Sequence, residues 1–431
     1  MPRMSETLSR RGFLHGSTAV AVASGAAPRI ARGATGVTEI RALLITGGPL
    51  YPKYWEALTK DFKQKTGIAV SYDMLQFTPM TSKEVTLGAA RSAEYDVYST
   101  HTAQIGSFFN YFEPLNKYFL ASELSDFYPV AMKYLTDPKT GELAAIPRNV
   151  DARVQYYRTD IYDAHNLKPA VTWDDLVHVS QAITGGGHYG LVVPGQGDPA
   201  QRTFSDYLWQ AGGDWVDDKN KPAFNSAEGI QALTFYRDLI QKYKVTPPDA
   251  VSYGWNENTS EFASGAVYDT FNWPTNFAIL SSPDTSKVVG KWATAPYVRA
   301  KEAISCAVSH AMALNSLSKK KDAALEFIKY VVSPDAQMLA FQQFTYFPSR
   351  PALAQKVIAE AQGEKAIWLQ QLQATIATGK EWPKLPGFSK VCILMYGAIE
   401  RALSQQMSPE ASLNQAAKEA LEAMRQAGAY R

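Results

Sequence analysis

The chain has 431 residues, of which 46% are hydrophobic and 19% are charged. At about 100–200 residues per domain, this length predicts more than one folded unit, each large enough to bury its own core. A formal net charge of +2 gives no reason to expect a nucleic-acid partner. The two cysteines, Cys306 and Cys392, exclude a disulfide framework and a four-cysteine metal site, and we expect both to be buried free thiols.

The first 34 residues have the pattern of a twin-arginine export signal. The motif Ser9-Arg10-Arg11-Gly12-Phe13-Leu14 precedes a weakly apolar run over residues 16–27 and a small-residue segment over residues 31–34. A run this short and diluted does not predict a membrane-spanning helix, which needs about 20 apolar residues. Cleavage after Gly33 or Ala34 would remove five arginines and one glutamate, which turns the formal net charge from +2 to −2. We therefore expect the Tat machinery to export a periplasmic protein without a lipid anchor.

Strands and helices then alternate along the chain. Short apolar runs predict strands over residues 41–45, 68–72, 95–98 and 154–157. Helical spacing of apolar residues predicts helices over residues 54–65, 81–91, 172–183, 199–211 and 227–243, and an almost wholly helical part from 319 to 426. Such alternation predicts an α/β protein with parallel sheets flanked by helices, in which ligands bind at the carboxyl ends of the strands.

Local motifs give no indication of an enzyme. Residues 185–190 fit G-x-G-x-x-G, but they follow a helix and precede a strand, so we expect a loop and not a dinucleotide site. Thr172-Trp173-Asp174-Asp175 predicts a capping box at a helix start. The six histidines lack the spacing of metal-ligand motifs, and the chain has no P-loop and no G-x-S-x-G elbow. We expect no catalytic residues, no metal and no cofactor.

Several segments occur in an order that is more specific than any one of them. They are Ala144–Pro147 with Asn149–Asp160, Pro169–Leu176, Trp209–Gly213, Phe224–Ser226, Trp255–Gly265 with Phe271–Pro274, Asp322–Tyr330 and Phe347–Arg350. Together they resemble the bacterial extracellular solute-binding proteins of family 1, the sugar-type group that includes maltose- and trehalose-binding proteins. The resemblance runs from about residue 40 to the end of the chain.

The resemblance implies the type II fold of periplasmic binding proteins, with two α/β lobes, each a sheet flanked by helices, and a helical C-terminal part. The implied lobes are 37–150 plus 307–350 and 151–306 plus 351–431, joined by several chain crossings. A ligand in the cleft touches both lobes and so stabilises a closed form by a hinge motion. The implied partners are a small-molecule solute and an inner-membrane ABC permease, and we expect a monomer.

The resemblance also implies a set of ligand contacts. Sugar sites combine planar hydrogen-bonding groups with aromatic rings, because sugars present paired hydroxyls and apolar C–H faces. By resemblance, Asp151 accepts from a hydroxyl pair, Trp273 stacks on the sugar, and Arg350 donates from the first lobe. Two alternatives remain open. Asp151 forms only a salt bridge with Arg153, or Trp273 is a core residue that does not contact the ligand. The implied contacts are Gly48, His101, Gln104, Asn149, Asp151, Tyr207, Asn272, Trp273, Ser309, Phe347 and Arg350.

Three places depart from the sugar-type pattern. His101 and Gln104 stand where the group usually has Asp and Trp, Val308-Ser309-His310 stands where it often has Gly-Gly-Trp, and Cys392 lies near an aromatic position of maltose-type members. Fewer rings predict a ligand smaller or more polar than a maltodextrin: a monosaccharide, a sugar alcohol, or a sugar acid or phosphate. The loss of an acidic residue at His101, with Arg350 retained, favours tolerance of an anionic group.

Two other classes of function remain open from the sequence. An exported oxidoreductase fits a twin-arginine signal, but it requires metal, haem or nucleotide ligands that the spacing does not supply. A receptor for another solute is the second class. A polyamine would require several carboxylates, and ferric iron would require paired tyrosines such as Tyr156 and Tyr157.

Overall fold

The computed structural model describes residues 36–47, 50–102 and 105–430, without the side chains of Thr78 and Ser107. In chain order the strands are β1 (Glu39–Thr46), β2 (Ala69–Gln76), β3 (Val97–His101), β4 (Ile146–Ala152), β5 (Val154–Arg158), β6 (Asp269–Asn272), β7 (Trp292–Ala295) and β8 (Ala307–Leu314). The helices of the first half are α1 (Leu50–Thr66), α2 (Phe77–Ala89), α3 (Ala121–Leu124), α4 (Pro129–Leu135), α5 (Thr159–Ala164), α6 (Trp173–Ile183), α7 (Gly197–Gln210) and α8 (Ala227–Gln241). Those of the second half are α9 (Trp255–Ser264), α10 (Thr275–Ser281), α11 (Lys321–Val331), α12 (Pro334–Phe344), α13 (Pro351–Glu360), α14 (Gly363–Ala377), α15 (Phe388–Leu403) and α16 (Pro409–Gln426). The export signal predicted over residues 1–34 lies outside the described part of the chain.

The first lobe is built on a five-stranded sheet of order β2-β1-β3-β8-β4. The strands β2, β1 and β3 run parallel, as the alternation of strand and helix predicts. The predicted parallel arrangement does not extend to the rest of this sheet, because β8 runs antiparallel to both β3 and β4. β8 enters this sheet from the second lobe, so no helical crossover of the βαβ type fixes its direction.

The second lobe contains a three-stranded sheet of order β6-β5-β7. Both of its pairs are antiparallel, so the predicted parallel arrangement is wrong here as well. The capping box at the start of α6 is confirmed: the amide of Asp175 donates to Thr172 Oγ1 over 3.1 Å, and the amide of Thr172 donates to Asp175 Oδ2 over 2.9 Å. The glycine-rich segment forms a turn closed by hydrogen bonds between Gly185 and His188, which confirms the loop.

In the described residues, three large apolar cores and one small cluster of Tyr162, Val179 and Ile183 support this architecture. One lies against the first sheet and draws its residues from 40–146 and 311–346. A second fills the other lobe beneath α7, α8, α15 and α16. A third contains Val150, Val154 and Trp368 and packs where the chain passes between the sheets. Cys306 and Cys392 are buried free thiols, as predicted.

The strand crossing from β4 to β5 joins the two lobes at Arg153. Its guanidinium is fully buried, forms an ion pair with Asp206 and donates to Thr203 Oγ1 over 3.0 Å. A buried charge is tolerated only when it is paired in this way, so the crossing is anchored to α7 of the second lobe. In the described residues, no helix combines the length and the apolar character that crossing a membrane requires.

Candidate ligand-binding site

A cavity of about 50 Å³ lies where the carboxyl end of β1, the N-terminus of α2 and the crossing strands face the second lobe. Both lobes and the crossing strands line it. The lining residues are Gly47, Tyr51, Phe77, Asp151, Asp198, Arg202, Trp255, Trp273, Thr275, Val308, His310 and Tyr346. We call it the central cavity. It lies at the strand ends, where an α/β fold is expected to bind a ligand.

Asp151 supplies a hydrogen-bond acceptor to the central cavity. Asn149 Nδ2 donates to its Oδ2 over 2.7 Å, and His310 Nε2 lies 3.5 Å from the same atom. The other oxygen, Oδ1, is buried and has no hydrogen-bond partner among the described residues. Burial raises the pKa of Asp151 to about 7, although the Asn149 donor and the charge of Arg148 act in the opposite direction. The alternative pairing with Arg153 is wrong, because Arg153 pairs with Asp206.

Aromatic rings form the walls of the central cavity. The half-buried rings of Trp255 and Trp273 meet edge to face, with centroids 5.4 Å apart and planes at 76°. On the first lobe, the rings of Tyr51 and Tyr346 meet in the same way, with centroids 5.5 Å apart. Each wall borders the cavity with apolar ring surface, which is the surface that a sugar's C–H face or a carbon chain packs against.

A buried arginine supports each aromatic wall. The guanidinium carbon of Arg148 lies 5.9 Å from the ring centroid of Tyr51 and 5.4 Å from that of Tyr346. That of Arg153 lies 5.1 Å from the ring centroid of Trp255 and 5.4 Å from that of Trp273. Both arginines come from the strand crossing, five positions apart. The same short segment therefore positions the rings of both lobes and carries Asp151 between them.

Asp198 and Arg202 face the central cavity from the first two turns of α7. Arg202 Nε lies 2.9 Å from Asp198 Oδ2, and its Nη1 lies 3.9 Å from Glu381 Oε1. The ring of Trp382 covers the guanidinium at 4.4 Å. Two carboxylates thus balance the charge of Arg202. Glu381 also accepts a hydrogen bond of 2.6 Å from Thr102, which follows β3, so this cluster connects the lobes.

Two imidazoles and a phenyl ring lie beside Asp151. The ring of Phe77 is 5.6 Å from that of His101 and 5.8 Å from that of His310, and the two imidazoles are 6.0 Å apart. Burial lowers the pKa of His310 well below its usual value of 6.5, and the charge of Arg148 acts in the same direction. His310 is therefore a neutral donor or acceptor at the side of the site.

Six predicted contacts lie at or directly behind this site. Asp151 and Trp273 line the central cavity, Asn272 lines an adjacent cavity of about 30 Å³, and His101 lines a larger one of about 390 Å³. Asn149 holds Asp151, and Ser309 Oγ in turn donates to the carbonyl of Asn149 over 2.9 Å. The last two residues position the acceptor and do not line these cavities.

Three predicted contacts line none of these cavities. Tyr207 is fully buried in the core of the second lobe, where its ring meets those of Trp173 and Tyr236. Phe347 is fully buried in the core at the crossing. Arg350 donates to the carbonyl of Val332 over 3.1 Å, pairs with Asp126 and covers the ring of Phe127 at 4.1 Å. Gly48 and Gln104 lie outside the described residues.

Sequence reasoning missed several residues of the central cavity: Tyr51, Phe77, Asp198, Arg202, Trp255 and His310. Trp255 begins one of the segments that carry the family resemblance, and His310 marks one of the departures. Asp198 comes directly before a predicted helix. For Tyr51 and Phe77 we find no signal in the sequence beyond their aromatic character.

The tyrosine pair considered for iron does not converge on the site. Adjacent residues of a strand point to opposite faces. Accordingly, Tyr156 donates to the carbonyl of Trp273 over 3.1 Å, whereas the ring of Tyr157 packs 4.8 Å from that of Tyr162. In the part of the chain that the structure describes, no group of three or more His, Cys, Asp or Glu residues is arranged to hold a metal ion.

The chain has the fold of a type II periplasmic binding protein. It forms two lobes, one with a mixed sheet and one with an antiparallel sheet, and both lobes bound a cavity. Residues 48–338 match the family described as bacterial extracellular solute-binding protein, and the chain belongs to that family.

Known relatives agree with this assignment. A probable amino-acid ABC transporter periplasmic-binding protein of Sinorhizobium fredii is 25% identical over 412 residues, which cover 92% of both chains. A mannitol-binding protein of Pseudomonas aeruginosa is 26% identical over 289 residues, which cover 64% of this chain and 65% of the relative. The maltose-bound structure of MalE3 from T. maritima superimposes with a TM-score of 0.81 and 25% identity, covering 88% of this chain and 98% of that one.

Proposed function

We propose that the protein is the substrate receptor of an ABC importer and binds a carbohydrate or sugar alcohol in the cleft between the lobes, at the central cavity. The observation that carries this proposal is the position of Asp151, which lines the same small cavity as Trp273 and has a buried Oδ1 without a hydrogen-bond partner among the described residues. An acceptor beside an apolar ring matches the paired hydroxyls and C–H surface of a polyol. The mannitol-binding relative and the maltose-bound neighbour support the same class of ligand.

The charges around the cavity favour a neutral ligand. Arg350, which we expected to favour a sugar acid or phosphate, is engaged by Asp126 and does not line the cavity. Arg202 does line it, but Asp198 and Glu381 balance its charge. A neutral monosaccharide or sugar alcohol is therefore the ligand that we favour over an anionic one, because no uncompensated cation lines the described central cavity.

Isothermal titration calorimetry of the purified protein tests the proposal. The panel contains D-mannitol, ribitol, D-glucose, maltose, glucose 6-phosphate and the common L-amino acids. We expect one of the neutral polyols or monosaccharides to bind with micromolar affinity, about −8 kcal/mol. Binding of an amino acid alone, which the name of the Sinorhizobium relative suggests as an outcome, would overturn the assignment of ligand class.

Scattering measures the accompanying motion. A ligand that contacts Asp151 on the crossing strand and Trp273 on the second lobe stabilises the closed arrangement, so the radius of gyration should decrease when ligand is added to saturation. If calorimetry shows that a ligand binds, but the scattering curves with and without it are identical, closure of the lobes is excluded.

The cellular part of the proposal rests on the family and on the N-terminal sequence. Residues 9–14 support export by the twin-arginine pathway to the periplasm, and the family supports delivery of the solute to an inner-membrane permease. We further propose a non-enzymatic monomer, with lobes at 37–150 plus 307–350 and 151–306 plus 351–431. A colourless, metal-free purified protein would argue against the oxidoreductase alternative.

A further inference from the structure

The cleft does not end at the central cavity. A groove of about 390 Å³ adjoins it and shares the lining residues Phe77 and Asp198 with it. Residues of α2 form one wall of this groove, and the segment from Trp382 to Tyr396 forms the other. A molecule that passes from the central cavity into the groove would thus remain in contact with both lobes.

The groove is lined mainly by apolar side chains. The rings of Phe77, Trp382, Phe388 and Tyr396 line it, together with the imidazole of His101. Val85 and Ile393 also line it, and they are unusual for large apolar side chains because 47% and 58% of their surfaces are exposed. Apolar residues exposed on both walls of one groove offer a surface that an apolar part of a ligand would cover.

The charged side chains of the groove do not change this character. Asp198 is paired with Arg202, and Lys390 lies exposed on α15. The buried amine of Lys384 has no hydrogen-bond partner among the described residues; it lies 5.2 Å from the ring centroid of Tyr134 on α4, and burial lowers its pKa to about 8, which favours the neutral amine. The groove therefore resembles an apolar binding pocket more than an anion site.

The other side of the cleft has the opposite chemistry. A cavity of about 480 Å³ lies there, and hydroxyl and amide side chains form most of its lining. No charged side chain of the described residues lines it. Its polar residues are Thr46, Gln76, Asn256, Thr259, Ser260 and Thr285. The small cavity between Trp255 and Trp273 shares Asn256 and Thr259 with it. This cavity is therefore polar but uncharged, whereas the groove is mainly apolar.

From this asymmetry we infer that the ligand is amphipathic: a sugar that carries an apolar aglycone, of the alkyl or aryl glycoside class. The sugar binds in the cleft at the central cavity, and the aglycone occupies the groove formed by Trp382, Phe388 and Ile393. This inference rests on the proposed function and specifies its substrate class. An unsubstituted oligosaccharide would leave the exposed side chains of Val85 and Ile393 against hydroxyl groups.

Matched glycosides test the inference by calorimetry. The probes are methyl and phenyl glycosides of D-glucose, D-galactose and D-mannose in both anomeric forms, with D-mannitol as the simple polyol. For the preferred sugar, the phenyl glycoside should bind about tenfold tighter than the methyl glycoside, because the groove removes the ring from water. If methyl glycosides or mannitol bind and no phenyl glycoside binds more tightly, the inference is overturned. The proposed function would then still stand. If no sugar, polyol or glycoside binds, the proposed function itself fails.

The chain offers a pair of matched variants. Ile393→Asp places a charge in the groove at a position that is 58% exposed, whereas Ile367→Asp makes the same change on α14 at a position that is 45% exposed and lines none of the described cavities. The ratio of phenyl to methyl affinity should fall to less than about threefold in Ile393→Asp and remain unchanged in Ile367→Asp. If the ratio of phenyl to methyl affinity is unchanged in both variants and a phenyl glycoside is still preferred, the aglycone binds elsewhere. That result would contradict the inference.

Discussion

His310 and Asp151 are diagonal neighbours across the antiparallel pair of β8 and β4, in which His310 lies opposite Asn149, and His310 Nε2 is 3.5 Å from Asp151 Oδ2. Burial disfavours the charged form of both groups. It raises the pKa of Asp151 to about 7 and lowers the pKa of His310 well below 6.5. The protonation state of this pair therefore changes near neutral pH through the carboxyl group. The same residue lines the central cavity and has a buried Oδ1 without a hydrogen-bond partner among the described residues.

Ligand affinity should consequently increase with pH. The ionised Asp151 accepts two hydroxyl donors, whereas the protonated form has lost part of that capacity. With a pKa of about 7, we expect binding of a polyol to weaken by about tenfold from pH 8 to pH 6. Calorimetry at both pH values measures this. Asp151→Asn should bind weakly and without the pH dependence, and an equal affinity of the unsubstituted protein at pH 6 and pH 8 would contradict the role of Asp151.

Trp273→Ala should reduce binding far more than stability. The ring is half-buried at the cavity, so its loss removes ligand contact worth on the order of 1–3 kcal/mol while exposing little core. Trp209→Ala is the control. Because Trp209 is 1% exposed, its substitution should lower the free energy of unfolding by about 3–5 kcal/mol. Urea denaturation and calorimetry separate the two effects. Equal destabilisation by both variants would show that Trp273 belongs to the core.

Gly47→Ala should weaken ligand binding by displacing Phe77. A Cβ at position 47 would lie 2.2 Å from Cε2 of the Phe77 ring, so the ring, which lines both the central cavity and the groove, must rotate. Gly88→Ala is the control, since its Cβ would meet Tyr111 at an ordinary 3.6 Å within α2 and should stabilise the helix by about 0.5–1 kcal/mol. We expect severalfold weaker binding in Gly47→Ala alone. Unaltered affinity in that variant would mean that Phe77 does not contact the ligand.

Stability should decrease as the pH increases through neutrality. Asp269 is fully buried and accepts from Tyr162 over 2.6 Å and from Gln155 over 2.5 Å, yet burial raises its pKa to about 8. Between about pH 4 and pH 8 it is protonated in the folded state and ionised in the unfolded state, so each rise in pH favours unfolding. Asp151 contributes in the same direction up to about pH 7.

Asp269→Asn should therefore reduce this pH dependence without removing it. Urea denaturation of both proteins between pH 6.5 and pH 8.5 measures the effect. In the lower part of this window His310 acts in the opposite direction, because its pKa is lowered in the folded state, but it does so equally in both proteins. An unchanged dependence in Asp269→Asn would show that Asp269 ionises at its usual pKa.

Export should depend on the arginine pair of the N-terminal segment. The double variant Arg10→Lys, Arg11→Lys retains the charge but not the motif, so the full-length protein should remain in the cytoplasm. Fractionation and immunoblotting of cells that express either form measure this. The variant Arg29→Lys, outside the motif, is the control. Processed periplasmic protein in undiminished amount from the double variant would refute twin-arginine export.

The local features of the fold followed from the sequence because short-range chemistry determines them. The apolar run at 41–45 lies within β1, and the helical spacing over 172–183 lies within the helix that begins after Thr172. The cap at Asp175 needs only the residues of one turn. The ordered segments around Asp151 and Trp273 also indicated the family, and those two residues do line the central cavity.

The tertiary structure decided which side chains meet and which partners they take. Arg350 has the chemistry of a ligand donor, but Asp126 and Phe127 from a distant segment engage it first. Tyr207 lies on a helix that is buried on almost every side, so its ring packs in the core. Conversely, Tyr51, Phe77, Trp255 and Arg202 come together from α1, α2, α9 and α7. Their convergence depends on strand order and lobe packing, which act between residues far apart in the chain and leave no local pattern in the sequence.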